Sequence, residues 1–270
     1  MKITYESATP EYFLVDVGAA NASIPERWDV IGSKLNQIMF EPDERSYQEL
    51  VKTLPSRSIV LQSALSAKQE SRELHLTRKP EVSSFFKPNR RLLDLYPNPS
   101  RWDIVKTVRV EAIPLDRFLY DPILDVDFIK LDTQGSELEI LMGAQSSLEL
   151  ALGIEVEVEF ISLYENQPLF GDVCTYLQGQ KIDFFDFVTE YRYGRKELNR
   201  KGQLAFADAL FLKTPEVILD QFKDQVDKVK KYALTCAVYG KLDLVQVTKE
   251  LFISNADLVQ YCDLILEFLT

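Results

Sequence analysis

The stretch FLVDVGAANASIPERW, residues 13–28, decides the fold of this chain. Its apolar start is typical of a buried β-strand, and Asp16 and Gly18 stand where that strand ends. A loop of small residues then leads to Pro25, and proline is common in the first turn of a helix. The stretch predicts a strand, a sharp turn and a helix, with a loop small enough for a ligand to approach the backbone.

Strand-like and helix-like segments alternate along most of the chain. The predicted strands are residues 12–17, 37–41, 59–62, 71–77, 108–112, 125–132, 153–160, 182–188 and 204–212, and the predicted helices are residues 25–36, 43–53, 115–118, 136–148 and 172–177. This alternation predicts an α/β fold with a mostly parallel sheet that helices cover on both faces. We expect the last two strands to be antiparallel partners at the sheet edge. Residues 80–101 are rich in Pro, Arg, Asn and Ser and predict a long binding loop or lid.

The end of the chain has a different pattern. From about residue 217 onward, apolar residues recur at helical spacing, which predicts an all-helical segment. We therefore divide the chain into an α/β domain, residues 1–213, and a C-terminal helical extension, residues 214–270. The extension is expected to pack on the core or on a second subunit, and the second option would give a homodimer.

Composition narrows the classes of partner and compartment. The 270 residues carry a net charge of -11, which argues against nucleic acid or an anionic membrane as the main partner. The three cysteines, Cys174, Cys236 and Cys262, form no CxxC pair, which suits a reducing compartment. No apolar run approaches the length of a membrane span, and the first residues do not have the pattern of a signal peptide. We expect a cytoplasmic protein.

The acids near the first two strand ends indicate the kind of ligand. Glu41 ends the second predicted strand 23 positions after Gly18, a spacing that lets a carboxylate accept hydrogen bonds from both hydroxyls of a ribose. The G-x-G-x-x-G pattern of dinucleotide sites is absent, and Asp16 would repel a pyrophosphate at the helix N-terminus. An adenosine with a positively charged end, such as S-adenosylmethionine, fits better. The alternative is an ordinary strand–turn–helix with an acid on its surface.

Four further blocks extend the pattern. They are MFEPDERSYQEL at residues 39–50, LQSALSAKQESRELHL at 61–76, DFIKLDTQGSELEILMGAQSSL at 127–148 and EVEFISLYENQPLF at 157–170. In this order and spacing, over about residues 12–212, the chain resembles the FkbM family of S-adenosylmethionine-dependent methyltransferases. The resemblance implies a class I methyltransferase fold, Rossmann-like, with a seven-stranded sheet whose last strand is antiparallel. It also implies methyl transfer to a hydroxyl oxygen of a sugar, polyketide or similar metabolite.

The resemblance carries cofactor contacts onto matching positions of this sequence. These are Asp16, Gly18, Ala19 and Asn21 in the first loop, Glu41 at the ribose, Pro42 with Asp43 in the turn beside the adenine, Ser63 and Ala64 at the end of the third strand, and Asp132 beside the sulfonium. Two positions depart from the family pattern. Ala22 stands where the family often has glycine, and Gln134 where it more often has glutamate, which casts doubt on any mechanism that relies on that carboxylate.

A neutral hydroxyl needs a base or a metal to take its proton. The one histidine, His75, is interpreted as lying on a strand surface, so the base is expected to be a carboxylate. Candidates are Asp132, Glu157 and Glu159. The glutamates of GIEVEVEF, residues 153–160, share one face of a strand that we expect to be covered on both sides. Burial beside other acids would raise their pKa, while pairing with Lys or Arg is the alternative. Glu137 opens a helix, where an acid is favourable in any case. A divalent metal at Asp132 is a secondary option, since the spacing is not diagnostic.

Two other functions compete with this interpretation. A non-catalytic nucleoside-binding or assembly protein, derived from a methyltransferase, is motivated by Gln134 and Ala22. A nicotinamide oxidoreductase is disfavoured by Asp16 and by the missing glycines.

Overall fold

The computed structural model describes residues 9–20, 26–54, 57–119, 125–195 and 202–269. Its strands are β1 Tyr12–Val17, β2 Leu35–Phe40, β3 Ser58–Leu61, β4 Ala64–Leu65, β5 Glu70–Thr77, β6 Ile104–Ile113, β7 Phe128–Leu131, β8 Gly153–Glu159, β9 Asp183–Tyr193 and β10 Gln203–Leu212. Seven strands form the central sheet in the order β3-β2-β1-β7-β8-β10-β9. All neighbours are parallel except β10, which runs antiparallel to both β8 and β9. The predicted mostly parallel sheet with an antiparallel last strand is confirmed, and the last two strands are antiparallel partners at one edge, with β9 outermost.

Helices cover both faces of this sheet. They are α1 Glu44–Thr53, α2 Arg90–Leu93, α3 Asp116–Leu119, α4 Glu137–Met142, α5 Gln145–Leu150, α6 Phe170–Gly179, α7 Pro215–Phe222, α8 Val226–Val238, α9 Leu242–Leu251 and α10 Ala256–Leu269. Single 3-10 helices span Glu26–Lys34, Pro80–Val82 and Pro99–Trp102. On one face, apolar residues of the strands pack with α4, α5 and α6. On the other, they pack with α7 to α10, so the C-terminal helices and the sheet share one continuous core.

Alternation along β1 explains this arrangement. Tyr12 and Leu14 face the C-terminal helices, while Val15 and Val17 face α4 to α6. The next residue on the first face is Asp16, at the carboxyl end of the strand. The apolar part of each strand therefore anchors the layers, and the polar end of the same face is left for a site.

Some local predictions were wrong in ways that glycine explains. The helix predicted at residues 25–36 is a 3-10 helix that Gly32 interrupts, with φ 60° in the left-handed region. The helix predicted at residues 136–148 is two short helices, α4 and α5, that meet at Gly143. A Cβ there would lie 2.2 Å from the carbonyl oxygen of Ser66, so the close approach of that segment requires glycine.

The segment between β3 and β7 forms a second layer. The strands predicted at residues 71–77 and 108–112 do not join the main sheet but pair with each other in a three-stranded sheet, in the order β4-β6-β5. Periodicity identifies a strand but not its partner, so the sequence could not separate the two sheets. The predicted loop at residues 80–101 contains short helices because its apolar residues Leu93 and Tyr96, with the following Trp102, are buried in a cluster with Tyr164. His75, expected on a strand surface, is 5% exposed.

Candidate active site

A cavity of about 200 Å³ opens at the carboxyl ends of β1, β2, β3 and β7. Parallel sheets place their ligand crevices at this edge. Its lining includes the predicted cofactor residues of the described chain: Asp16, Gly18, Ala19, Glu41, Pro42, Ser63, Ala64 and Asp132. Asn21 lies outside the described residues. Residues predicted from separate strands are thus brought to one cavity.

Gly18 lets the strand ends meet. Its φ is +81°, and a Cβ would lie 1.8 Å from the carbonyl oxygen of Asp132. Its N–H donates to the carbonyl oxygen of Phe40 at 3.0 Å, and the N–H of Asp132 donates to the carbonyl oxygen of Val17 at 2.9 Å. The ends of β1, β2 and β7 are therefore held together around a position that only glycine fits without strain.

Glu41 is a buried acid directly after β2. It is 4% exposed, and its Oε1 accepts a hydrogen bond from the N–H of Asp43 at 2.7 Å. Burial, and then the neighbouring carboxylates of Asp43, Asp132 and Asp16, raise the pKa of Glu41 to about 8. Asp43 itself caps α1 and pairs with Arg45 at 2.5 Å. The cavity wall at this point presents a carboxyl group whose position the start of α1 fixes.

A lysine stands beside Asp16. Lys130 on β7 is opposite Asp16 in the parallel register, and its Nζ lies 3.5 Å from Oδ1 of Asp16. Both residues line the cavity. Burial lowers the pKa of Lys130, but the carboxylates of Asp16, Asp132 and Glu155 outweigh burial, and the net pKa is raised. The cavity wall at this point is therefore not purely acidic but carries an acid and a cation side by side.

Gln134 bridges two acids at the mouth of β7. Its Nε2 donates to Oδ1 of Asp132 at 2.9 Å and to Oε1 of Glu157 at 2.6 Å. Its Oε1 is 2.9 Å from the hydroxyl of Tyr164. The amide supplies two N–H donors, one for each carboxylate, which a glutamate at this position could not do.

Glu137 shapes the loop that carries this bridge. Its Oε1 accepts hydrogen bonds from the N–H and hydroxyl of Thr133, and its Oε2 accepts one from the N–H of Gly135 at 2.9 Å. Ser84, from the second layer, donates to the carbonyl oxygen of Gln134 at 2.6 Å. Gln134 has φ 60° and is held in this conformation from both sides.

The sequence matches the family described as the methyltransferase FkbM domain over residues 16–188, more than half of the chain. This protein belongs to the FkbM methyltransferase family. The match begins at Asp16 and ends in β9, so it contains the whole described lining of the cavity. The resemblance seen in the sequence and the class I methyltransferase fold are both confirmed.

Solved structures give more distant matches. An FkbM methyltransferase from Methylobacillus flagellatus KT is 17% identical over 74% of this chain and 43% of that one, with a TM-score of 0.44. A precorrin-6y C5,15-methyltransferase from Geobacter metallireducens GS-15 is 9% identical over 79% of this chain and 86% of that one, with a TM-score of 0.40. TrmK of M. capricolum, in complex with S-adenosyl-homocysteine, is 8% identical over 98% of this chain and 97% of that one, with a TM-score of 0.36. No curated protein matches the sequence significantly.

The predicted catalytic acids of this FkbM protein lie at different depths. Asp132 lines the cavity, whereas Glu157 and Glu159 are buried behind it, 6% and 2% exposed. Burial raises the pKa of both glutamates well above the ordinary value, and neighbouring acids, including Asp132, add to the effect. Glu157 is joined to Asp132 through Gln134, while Oε1 of Glu159 has no hydrogen-bond partner in the described structure.

Lys130 and Asp208 were not singled out from the FkbM motifs. Asp208 on β10 is opposite Glu157 in the register, and burial, followed by Glu155 and Asp132, raises its pKa to about 6. Each is a charged residue inside an apolar strand, Lys130 in FIKL and Asp208 in QLAFADALFL, and that interruption is the signal available in the sequence.

The remaining expectations for the FkbM protein concern a metal site, a membrane span, the histidine and the cysteines. Within the described ranges, no group of three or more His, Cys, Asp or Glu side chains is placed to hold a metal ion. Among the helices that the structure describes, none is long and apolar enough to cross a membrane. His75 does not line the cavity, although Leu74 and Ser84 beside it do, and its Nδ1 lies 3.1 Å from the hydroxyl of Thr107. All three cysteines are free.

Proposed function

We propose that this protein is a cytoplasmic S-adenosylmethionine-dependent O-methyltransferase that methylates a hydroxyl group of a sugar, glycan or secondary metabolite. The observation that carries the proposal is the convergence of Glu41, Asp16 and Asp132 on one cavity within the part of the chain that matches the family. Three acids from three strand ends suit a ligand that combines a diol with positive charge.

The donor and acceptor chemistry of the cavity fits S-adenosylmethionine. Glu41 would accept the hydrogen bonds of the ribose hydroxyls, and Asp16 would bind the ammonium group. Pro42 and Ala64 offer apolar surface to the adenine, with Ser63 at its edge. When bound, the cofactor supplies an electrophilic methyl group. The chain's own contribution is to hold the reactants in line and to exclude water.

The acceptor hydroxyl must lose its proton during transfer. Asp132 is our candidate for the base because it lines the cavity at the carboxyl end of β7. Its Oδ1 already accepts from Gln134, so its orientation is fixed before the acceptor binds. We assign Glu157 and Glu159 to the acid cluster behind Asp132. Ser83, Ser84 and Phe85 also line the cavity, and we assign them to contacts with the acceptor.

Two measurements test the proposal in sequence. Calorimetric titration should show binding of S-adenosylmethionine and S-adenosylhomocysteine and no binding of NAD. Labelled S-adenosylmethionine should then transfer its methyl group to members of a panel of hydroxylated sugars and metabolites, and not to matched deoxy compounds. Failure to bind either adenosine ligand would refute the proposal.

A non-catalytic nucleoside-binding protein is the second candidate. It is favoured by the placement of Glu157 and Glu159 behind the lining and by the amide at Gln134. Such a protein would bind S-adenosylhomocysteine without turnover on any acceptor. Self-association through the C-terminal helices stays a prediction. Ile253 and Phe268 are exposed apolar residues on that surface, and sedimentation would measure the oligomeric state.

A further inference from the structure

Lys130 lines the proposed cofactor cavity in a place where the family motifs assign it no role. It belongs to β7, and the parallel register places it opposite Asp16 on β1. The two side chains are 22% and 11% exposed, so both are largely withdrawn from solvent. Gly18, two residues after Asp16, leaves the cavity open beside them.

The ammonium group of Lys130 has more donors than partners. It carries three N–H bonds, and in the described part of the chain its one hydrogen bond is the 3.5 Å contact to Asp16. Glu155, the opposite neighbour in the register, is already engaged by the hydroxyl of Tyr239 at 2.6 Å and by Arg27 at 3.3 Å. A mostly buried cation with spare donors at a cavity wall suits an anionic group of the ligand.

We infer that Lys130 binds the carboxylate of the cofactor's amino-acid part while Asp16 binds its ammonium group, and this inference rests on the proposed function. The ammonium and carboxylate groups of an α-amino acid are attached to one carbon atom, so a site that binds both groups needs an anion and a cation side by side. Asp16 and Lys130 meet that requirement at 3.5 Å. Without Lys130, the ligand carboxylate would face Asp16 and Asp132, and like charges would repel it.

Ligands that differ in single charged groups test this assignment on the unaltered protein. We expect S-adenosylmethionine to bind about 10- to 100-fold more tightly than its decarboxylated form, which keeps the sulfonium and the ammonium. Equal affinity for the two ligands would overturn the inference and leave the proposed function standing. Absence of binding for both would overturn the two together.

The variant Lys130→Met tests the residue itself. Calorimetry should show about 10- to 100-fold weaker binding of S-adenosylmethionine, with binding of the decarboxylated form unchanged or tighter because Asp16 is then free for the ammonium. Lys52→Met, an exposed lysine on α1, is the control and should bind both ligands as the unaltered protein does. Equal weakening of both ligands would show that Lys130 only holds Asp16 and would overturn the inference. If Lys130→Met fails to fold, the comparison of ligands on the unaltered protein decides alone.

Discussion

Glu41 is a buried acid whose charge changes in the neutral pH range. Its pKa is raised from 4.5 to about 8, chiefly by burial, so without ligand the carboxyl group is protonated below that value. Ribose hydroxyls donate to the ionised form more strongly. We expect the affinity for S-adenosylhomocysteine to rise by up to about tenfold per unit between about pH 6.5 and 8 and to level off above. Calorimetry across this range measures it.

The variant Glu41→Gln separates this group from others that titrate. Its affinity for S-adenosylhomocysteine should be lower and nearly independent of pH in the same window. A slope that survives in the variant would assign the titration elsewhere. The raised pKa of Glu41 also makes the stability of the protein depend on pH. Glu41 releases its proton near pH 4.5 in the unfolded chain and near pH 8 in the folded chain, so the ligand-free protein loses stability as the pH rises between these values.

Gln134 is the second residue whose chemistry can be tested singly. In Gln134→Glu, Asp132 and Glu157 lose the amide N–H groups that both accept, and a third carboxylate joins them. We expect the free energy of unfolding to fall by about 3 kcal/mol near pH 8 and by less near pH 6, where protonation relieves the repulsion. Urea denaturation at the two pH values measures the difference.

Gln246→Glu is the matched control. Gln246 also donates from its amide to a carboxylate, that of Glu250 at 2.7 Å, but on an exposed helix surface. Its replacement should cost less than about 0.5 kcal/mol. Equal losses in the two variants would mean that the bridge at Gln134 does not differ from a surface contact.

The residues that could be predicted from the sequence are those at strand ends. Asp16, Glu41 and Asp132 each follow an apolar run, and the ends of parallel strands meet at one edge of a sheet. Lys130 and Asp208 could not be placed in the same way, because their importance depends on which strands are neighbours. The register Asp16–Lys130 and the pair Glu157–Asp208 are properties of strand order, which one sequence does not reveal.

The turn after β1 sets how closely three strands approach. Gly18→Ala would place a Cβ 1.8 Å from the carbonyl oxygen of Asp132, at a φ of +81° that alanine rarely adopts. We expect the free energy of unfolding to fall by about 2–4 kcal/mol and the affinity for S-adenosylhomocysteine to fall at least about tenfold, since both walls of the cavity move. Thermal unfolding and calorimetry measure the two effects.

Gly171→Ala gives the control for the same substitution. No atom lies within 4 Å of a Cβ at Gly171, which belongs to α6 and has helical surroundings. Stability should be unchanged or higher by up to about 1 kcal/mol, because alanine favours helices over glycine. If Gly18→Ala is tolerated as well as this control, the tight turn is not what holds β1 and β7 together.

Strands and helices were predictable to different degrees for a physical reason. The apolar runs of β1 and β10 are a local signal of strands buried on both faces, and the alternation in β8 is a local signal of a strand. The division of residues 136–148 into α4 and α5 depends on a contact between Gly143 and Ser66, which are far apart in sequence. Likewise, nothing local to β5 and β6 shows that they pair with each other outside the main sheet.

The C-terminal helices are tied to the sheet by apolar packing and by one buried ionic cluster. Asp127, at the start of β7, is fully buried, and its carboxylate accepts from Lys228 at 2.7 Å and from Lys231 at 2.9 Å on α8. It also accepts from the N–H of Phe13 at 2.9 Å. The cluster joins β1, β7 and α8, so the site at the carboxyl ends of the strands depends on helices that lie beyond the family match.

Asp127→Asn tests that dependence. The amide keeps the size of the side chain but removes the buried counter-charge of Lys228 and Lys231, and leaves them only Asp125, which is 43% exposed. We therefore expect a loss of about 3 kcal/mol in the free energy of unfolding. Asp257→Asn is the matched control: Asp257 also pairs with a lysine of α8, Lys230 at 2.7 Å, but is itself 68% exposed and should cost less than about 1 kcal/mol. Urea denaturation followed by tryptophan fluorescence and by circular dichroism should give coincident transitions in the unaltered protein, because sheet and helices share one core. An early, separate transition of the helices would contradict this and would show that the cofactor site folds without them.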